Sequence, residues 1–168
     1  MKDISSGIRA IRKDGNCFYR AFSFRLADLL LSNFNSPWYH SILQNCISSK
    51  SLLSQVGYDE IAYEDFFEIF MEALKPPVIQ RPNNSDVNLH SISNSFSPNL
   101  EDSPNFSSQD LVARLSNDYV GESMICYLRL VTAAILKTNK EVYEPFVLGS
   151  GEWSSIDEFI STQVEPSK

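Results

Sequence analysis

Apolar positions along most of this chain recur with the period of an α-helix. One apolar stripe starts at Cys17 and predicts a first helix; its members are Phe18, Phe22, Leu26, Leu29 and Leu30. Ser36 followed by Pro37 is typical of a helix start, with serine as the cap and proline in the first turn. Residues 63–75 repeat the helical pattern until two consecutive prolines stop it. Only residues 8–12 favour a short strand.

Residues 76–108 interrupt this pattern. Of these 33 residues, 19 are Pro, Ser or Asn, and the apolar ones show no periodicity. Such a segment buries too little surface to offset its ordering entropy, so a disordered insertion is predicted within a single domain of residues 1–168. Helical periodicity resumes at Asp110 and is strongest over residues 123–137, where several faces are apolar. That stretch is predicted to be a central helix.

Composition narrows the classes of partner. The net charge of −7 argues against nucleic acid, which requires a clustered basic surface, and favours a basic partner surface. The amino terminus lacks the apolar core of a signal peptide, and no apolar run approaches the roughly 20 residues that cross a bilayer. We therefore expect no membrane partner, and a cytoplasmic location with the nucleus as an alternative.

The three cysteines are Cys17, Cys46 and Cys126. Their wide spacing, with no Cys or His cluster, predicts neither a metal site nor a cofactor. Cys46 and Cys126 fall within apolar stripes and are interpreted as core thiols.

Cys17 differs from the other two cysteines in its sequence context, because it directly follows the turn-forming residues Asp14, Gly15 and Asn16. A cysteine in the first turn of a helix meets the positive end of the helix dipole and unpaired backbone N–H groups, which favour the thiolate. The same N–H groups can stabilise an oxyanion, and glycine permits the tight turn that points them inward. The residues alone leave open a second interpretation, a turn followed by a buried thiol.

The sequence Asp-Gly-Asn-Cys-Phe-Tyr-Arg-Ala-Phe at residues 14–22 resembles the nucleophile motif of OTU-type deubiquitinases, in particular the otubain branch. Residues 64–71, 127–132, 146–149, 156–159 and 163–166 are similar to further otubain segments in the same order. The resemblance implies an α+β, papain-like cysteine protease fold. It also implies that mainly the helical half is present and that most of the central sheet is missing.

This resemblance assigns roles by position. Cys17 would be the nucleophile, and Asp14 would support the site and shape the oxyanion hole. The backbone amides of Asp14 and Cys17 would donate to the oxyanion, while Gly15 and Asn16 support the loop. The implied reaction is hydrolysis of the isopeptide bond at the ubiquitin C-terminus through a thioester. The implied partners are ubiquitin or polyubiquitin chains, and ubiquitin-conjugating enzymes.

One part of the family pattern is missing. Otubains place their general-base histidine in a strand after a Val-Glu-Pro-like segment, and here residues 164–166 are followed only by two residues. The expectation is an internal slice of a longer protein: a truncated gene model, a splice form or a degenerate relative. His40 is interpreted as a surface residue and His90 lies in the insertion, so no general base is found. We expect an impaired or inactive deubiquitinase; the alternative is a catalytically dead remnant that binds ubiquitin or a ubiquitin-carrying enzyme.

Overall fold

The computed structural model describes residues 10–76 and 108–166, with the backbone alone at Ser108. These two ranges contain helices and no strand. The elements are α1 (Cys17–Ser32), α2 (Pro37–Gln55), α3 (Glu60–Ala73), α4 (Ser108–Ser116), α5 (Asp118–Thr138), α6 (Lys140–Gly149), α7 (Ile156–Phe159) and a π-helix (Ile160–Val164).

Helix α5 is the centre of the fold, as its several apolar faces predict. Helices α1, α2, α3, α4 and α6 and the π-helix all pack on it. Met124, Tyr127, Ala133 and Ala134 of α5 are fully buried. By length and composition this helix is also apolar enough to cross a membrane. Because five α-helices and the π-helix already pack against it, we interpret it as the core helix of a folded domain.

Helix α1 buries only part of the apolar stripe that the sequence predicts. Ala27, Leu30 and Leu31 are buried, whereas Phe18 and Phe22 are 69% and 46% exposed. At 3.6 residues per turn these two phenylalanines lie on the side of the helix opposite the buried residues. Leu30 of the predicted stripe is therefore core, but the aromatic part of the stripe, Phe18 and Phe22, is not. Its members stack on each other instead, with ring centroids 6.2 Å apart.

Helices α2 and α3 begin where side-chain caps stop the chain from fraying. The Ser36 hydroxyl accepts a hydrogen bond from the Tyr39 N–H at 3.2 Å, which confirms the predicted helix start. The Asp59 carboxylate accepts one from the Ile61 N–H at 3.1 Å. The predicted apolar stripe of α3 is also confirmed, because Phe70 of that stripe is only 2% exposed.

A second core cluster fixes the carboxyl-terminal part of the described chain. Ile156, Ile160 and Val164 are buried against Ala133 of α5. Beyond them, the Lys137 ammonium donates to the Glu165 carboxylate at 2.6 Å and to the Tyr58 hydroxyl at 3.0 Å. The segment resembling the family's Val-Glu-Pro sequence is thus held against the central helix.

The structure differs from the sequence predictions at a strand and at a helix, and it does not test the predicted insertion. Residues 10–13 lie in no regular element, so the strand predicted for residues 8–12 is absent over the part that is described. Residues 77–107, nearly all of the predicted insertion, lie outside the described residues, and the domain assignment stays a prediction. Helix α6 was not predicted, since Pro145 stands inside it and proline removes a helical hydrogen bond.

Candidate active site

The loop before α1 is closed by a side chain of its own. The Asp14 carboxylate accepts a hydrogen bond from the Asn16 N–H at 3.0 Å through Oδ1. Gly15, between them, has a φ of +79°, a conformation that residues with a side chain rarely adopt. The chain then enters α1 at Cys17, the first residue of the helix. The predicted turn and helix start are both present.

Arg20 ties this loop to the central helix. Its Nε donates to Asp14 Oδ2 at 2.9 Å, and its Nη2 pairs with both Asp14 and Glu122 of α5. Only 14% of the Arg20 side chain is exposed. The hydrogen bond from Arg20 holds the pKa of the Asp14 carboxyl below its ordinary value. One guanidinium therefore joins the loop, the site helix and α5.

The nucleophile candidate is accessible. Cys17 is exposed and carries a free thiol. Within the described part of the chain, neither the Asp14 nor the Cys17 backbone N–H donates a hydrogen bond to another residue, but the Asp14 N–H faces its own carboxylate and helps to hold the pKa of that carboxyl below its ordinary value. The side chain of Asn16, the residue before the helix, makes no capping bond either. Among the described residues, the Cys17 N–H is thus without a protein acceptor, which is a condition for donating to an oxyanion, whereas the Asp14 N–H is shared with its own carboxylate.

The other two thiols are less accessible than Cys17. Burial raises the pKa of Cys46 to about 11. Burial and the nearby charge of Glu122 raise the pKa of the Cys126 thiol. Both side chains are partly buried rather than fully enclosed. Cys46 packs against the main core cluster, which agrees with its interpretation as a core thiol, whereas Cys126 lies in neither core cluster and near the charges of Glu122 and Arg129.

The structure brings no described histidine to the site. His40 is exposed on α2, with its ring edge-on to Tyr39 at 5.3 Å, as expected for a surface residue. His90 lies outside the described residues. Within the two described ranges, no group of three His, Cys, Asp or Glu side chains is arranged to hold a metal ion.

Aromatic and cationic side chains surround the first turn of α1. The exposed Phe18 packs edge-on against Tyr19, with centroids 5.4 Å apart. The guanidinium of Arg129 lies 5.2 Å from the Tyr19 ring centroid, within the range of a cation–π contact. The same guanidinium donates to the Gln163 and Val164 carbonyls at 3.1 and 3.3 Å. Arg129 thereby links the site helix to the end of the π-helix.

Comparison with known proteins identifies the class. The family model described as Peptidase C65 Otubain matches residues 2–168, so the chain belongs to this otubain family. It is 29% identical over 160 residues to "OVARIAN TUMOR DOMAIN-containing deubiquitinating enzyme 1" of Arabidopsis thaliana, covering 95% of this chain and 45% of that protein. It is 29% identical over 161 residues to human "Ubiquitin thioesterase OTUB1", covering 96% and 48%. "Ubiquitin thioesterase otubain-like" of Caenorhabditis elegans is 25% identical over 170 residues, covering 99% and 48%.

These comparisons confirm the resemblance stated from the sequence. The chain spans about half the length of these curated relatives. They do not test the roles of Asp14, Gly15, Asn16 and Cys17, which stay predictions. The structure does bring these four residues together in one loop and helix start.

Sequence reasoning missed two residues of the site. The sequence alone leaves open whether Arg20 pairs with an acidic residue or contacts ubiquitin, and it gives no reason to single out Glu122. They are 102 positions apart in the chain. Their only sequence signal was opposite charge, and this does not indicate a pairing until α1 and α5 are known to pack together.

Proposed function

We propose that this chain carries the nucleophile of an otubain-type deubiquitinase, with Cys17 as the attacking residue and ubiquitin conjugates as substrate. The observation that carries the proposal is the exposed Cys17 thiol at the first turn of α1, behind a loop closed by Asp14. Membership of the otubain family supports the same reaction. The helices would form the helical half of a papain-like fold.

The chemistry follows from the position of the thiol. The Cys17 thiolate attacks the isopeptide carbonyl carbon, a C–S bond forms, and the carbonyl electron pair moves to oxygen. The backbone amides of Asp14 and Cys17 would donate to that oxyanion. Collapse of the intermediate expels the lysine amine, which takes up a proton, and leaves a thioester. Water then hydrolyses the thioester to a carboxylate and restores the thiol.

Catalysis by this chain alone should be slow. General acid–base assistance contributes about 10²–10⁴-fold to such reactions, and no described histidine faces Cys17. The amine would then leave without a positioned proton donor. We therefore propose an impaired deubiquitinase: a reactive nucleophile with little turnover.

A test that separates the nucleophile from turnover uses ubiquitin with an electrophilic vinyl sulfone at its C-terminus. We expect one covalent adduct per chain, located on Cys17 by peptide mass spectrometry. Cys17→Ala should form none, and Cys46→Ala should react like the unaltered chain. An adduct on Cys126, or none on Cys17 in the folded chain, contradicts the proposal.

Cleavage of di-ubiquitin tests turnover separately. We expect cleavage far slower than that by a complete otubain assayed beside it. Rapid cleavage that disappears in Cys17→Ala would show that this chain supplies a general base of its own.

A catalytically inactive binding module is the second candidate, favoured by the exposed aromatic pair on the site helix. Phe18 and Phe22 are stacked and 69% and 46% exposed, and such exposed apolar groups suit a protein partner. Ubiquitin or a ubiquitin-conjugating enzyme would be that partner. Binding of ubiquitin that survives in Cys17→Ala but weakens in Phe18→Ser, with no vinyl sulfone adduct, would favour this function over catalysis.

A further inference from the structure

We infer that Glu122 of α5, acting through Arg20, is a positioning residue for the Cys17 loop. The inference rests on the proposed function in taking Cys17 as the nucleophile. It adds that the loop depends on a contact with the central helix, 102 positions away in the chain.

The first step is the sharing of one guanidinium. Arg20 binds Asp14 through Nε and Nη2 and Glu122 through the same Nη2. A guanidinium offers planar, fixed donors that a lysine ammonium does not. Because only 14% of the Arg20 side chain is exposed, water can replace few of these bonds. Glu122 therefore fixes where the guanidinium lies, and the guanidinium fixes Asp14.

The second step is the backbone of the loop. Asp14 Oδ1 accepts from the Asn16 N–H while Oδ2 accepts from Arg20. The two oxygens of one carboxylate thus join Arg20 to the amide immediately before Cys17. If the carboxylate turned away, the bond that closes the loop would be lost, and the first turn of α1 would be free to fray.

The third step is the space left for this arrangement. Gly121 precedes Glu122 and is buried. A Cβ built there would lie 3.5 Å from Arg20 Nη1 and 3.0 Å from the Leu115 carbonyl oxygen. The distance to Arg20 is an ordinary contact, whereas the distance to the Leu115 carbonyl is tight, so a side chain at residue 121 would crowd the end of α4. Substitutions to test Arg20 are therefore better placed at Glu122 than at Gly121.

A positioning role and a purely electrostatic role predict different results at Glu122. Removing a negative charge from the linkage to the Cys17 loop leaves the thiolate unchanged or more favoured by Coulomb's law, so alkylation should not become slower if charge alone matters. If Glu122 positions the loop, its removal loosens the first turn, the thiolate loses the helix amides, and alkylation becomes slower. Glu122→Ala distinguishes the two, and the Glu122 side chain is 47% exposed, so the variant should fold.

The experiment measures the rate of Cys17 alkylation by iodoacetamide at pH 7.5 in the full chain. Cys46 is the internal reference, since Cys126 lies close enough to Glu122 to feel its charge. We expect Glu122→Ala to slow Cys17 about threefold and Arg20→Lys about fivefold, the range of charge interactions at a helix start. Arg20→Lys keeps the positive charge but loses the planar set of guanidinium donors, so a role of charge alone predicts no change in the Cys17 alkylation rate of this variant.

Arg25→Ala is the matched control. Arg25 also lies on α1, but it pairs with Asp28 on the same helix and is 67% exposed. We expect its alkylation rate to equal that of the unaltered chain. The double variant Arg20→Lys/Glu122→Ala should be no slower than Arg20→Lys, because both changes break one linkage.

Three outcomes would overturn the inference: rates within about twofold of the unaltered chain in both single variants, faster alkylation in Glu122→Ala, or additive effects in the double variant. The ubiquitin vinyl sulfone assay on the same variants separates this inference from the proposed function. No adduct in the unaltered chain, with alkylation still slowed in the variants, contradicts the proposed function alone. If the unaltered chain forms the adduct, and Glu122→Ala and Arg20→Lys form it at the same rate, the positioning role is contradicted while the proposed function stands.

Discussion

At the start of α2, the Ser36 hydroxyl accepts the Tyr39 N–H at 3.2 Å, and Pro37 fills the first helical position with a residue that has no N–H. At the start of α1, the Asn16 side chain accepts no helix amide. The nearest carboxylate, that of Asp14, bonds the Asn16 N–H, outside the helix. The start of α2 is capped by its own residues, whereas at the start of α1 the Cys17 N–H has no acceptor among the described residues, beside an exposed thiol.

This contrast separates stability from function within one fold. A closed start satisfies donors that would otherwise need water, and it stabilises the helix. An open start forgoes that stabilisation but offers donors to a developing negative charge. The loop before α1 replaces the missing cap with bonds to Arg20 and, through it, to Glu122. The site helix is therefore held from α5 rather than by its own first turn.

The largest expected effect on stability comes from residues in the middle of α1 and α2, away from the two helix starts. It tests whether the two helices are equally well anchored in the core and differ only at their starts. Leu30 of α1 and Leu53 of α2 are both fully buried. Leu30→Ala and Leu53→Ala should each lower the free energy of unfolding by about 2–5 kcal/mol, through lost burial and a residual cavity. Urea denaturation measures this. Phe22→Ala, at the exposed face of α1, is the control, with a loss under about 1 kcal/mol. A loss that small for Leu30→Ala would mean that α1 is not anchored in the core.

The second effect compares the thiols of the two helices. Cys17 is exposed at the open start of α1, whereas burial raises the pKa of Cys46 on α2 to about 11. At pH 8 about one Cys46 thiol in a thousand is ionised. Brief iodoacetamide treatment at pH 8, followed by peptide mass spectrometry, should label Cys17 well before Cys46.

The sign of the pH dependence follows from the raised pKa. Cys46 labelling should rise about tenfold per pH unit from pH 8 toward 11, because only the thiolate reacts. The thiol is protonated in the fold and ionises near its ordinary value of 9.0 once unfolded. Its contribution to stability is therefore complete below about pH 9 and is lost as pH rises toward 11. Faster labelling of Cys46 or Cys126 than of Cys17 in the folded chain would contradict the contrast.

Local signals in the sequence predicted much of this arrangement. Ser36 and Pro37 mark a helix start through bonds made within four residues, so the sequence alone suffices. The turn at Gly15 is equally local, and so is the place of Cys17 at a helix start. The central position of α5 followed from apolar residues on several of its faces.

Features that depend on packing were not predictable in the same way. Apolar residues stand on two faces of α1, and only the contacts with α5 decide that Leu30 is buried and Phe18 is not. The pairing of Arg20 with Glu122 needs the same contact between helices. Helix α6 was missed because the propensity of Pro145 argues against it, and tertiary context overrides that preference.

The third effect is a loss of stability at the capped start of α2. Ser36→Ala removes the side-chain acceptor of the Tyr39 N–H and the hydroxyl that donates to the Asn33 carbonyl, and it should lower the free energy of unfolding by about 1 kcal/mol, as measured by urea denaturation. Ser41→Ala is the matched control, because Ser41 lies exposed within the same helix and makes no cap. We expect it to leave stability unchanged or slightly raised, since alanine favours the helix interior. Equal losses in both variants would show that the Ser36 cap contributes nothing.

The smallest effect is expected at Asn16, the corresponding position before α1. Its side chain makes no capping bond, and its Oδ1 atom is buried without a hydrogen-bond partner in the described part of the chain. Removing an unpaired buried acceptor loses no hydrogen bond and relieves its desolvation. The Asn16 N–H, which closes the loop onto Asp14, is a backbone group and survives the change. Asn16→Ala should therefore shift the free energy of unfolding by less than about 0.5 kcal/mol, against about 1 kcal/mol for Ser36→Ala.

Cys17 alkylation in Asn16→Ala should stay at the rate of the unaltered chain, because Arg20 still holds Asp14. A loss of stability as large as that of Ser36→Ala would mean that Asn16 does cap α1 in solution, and the open start would have to be abandoned.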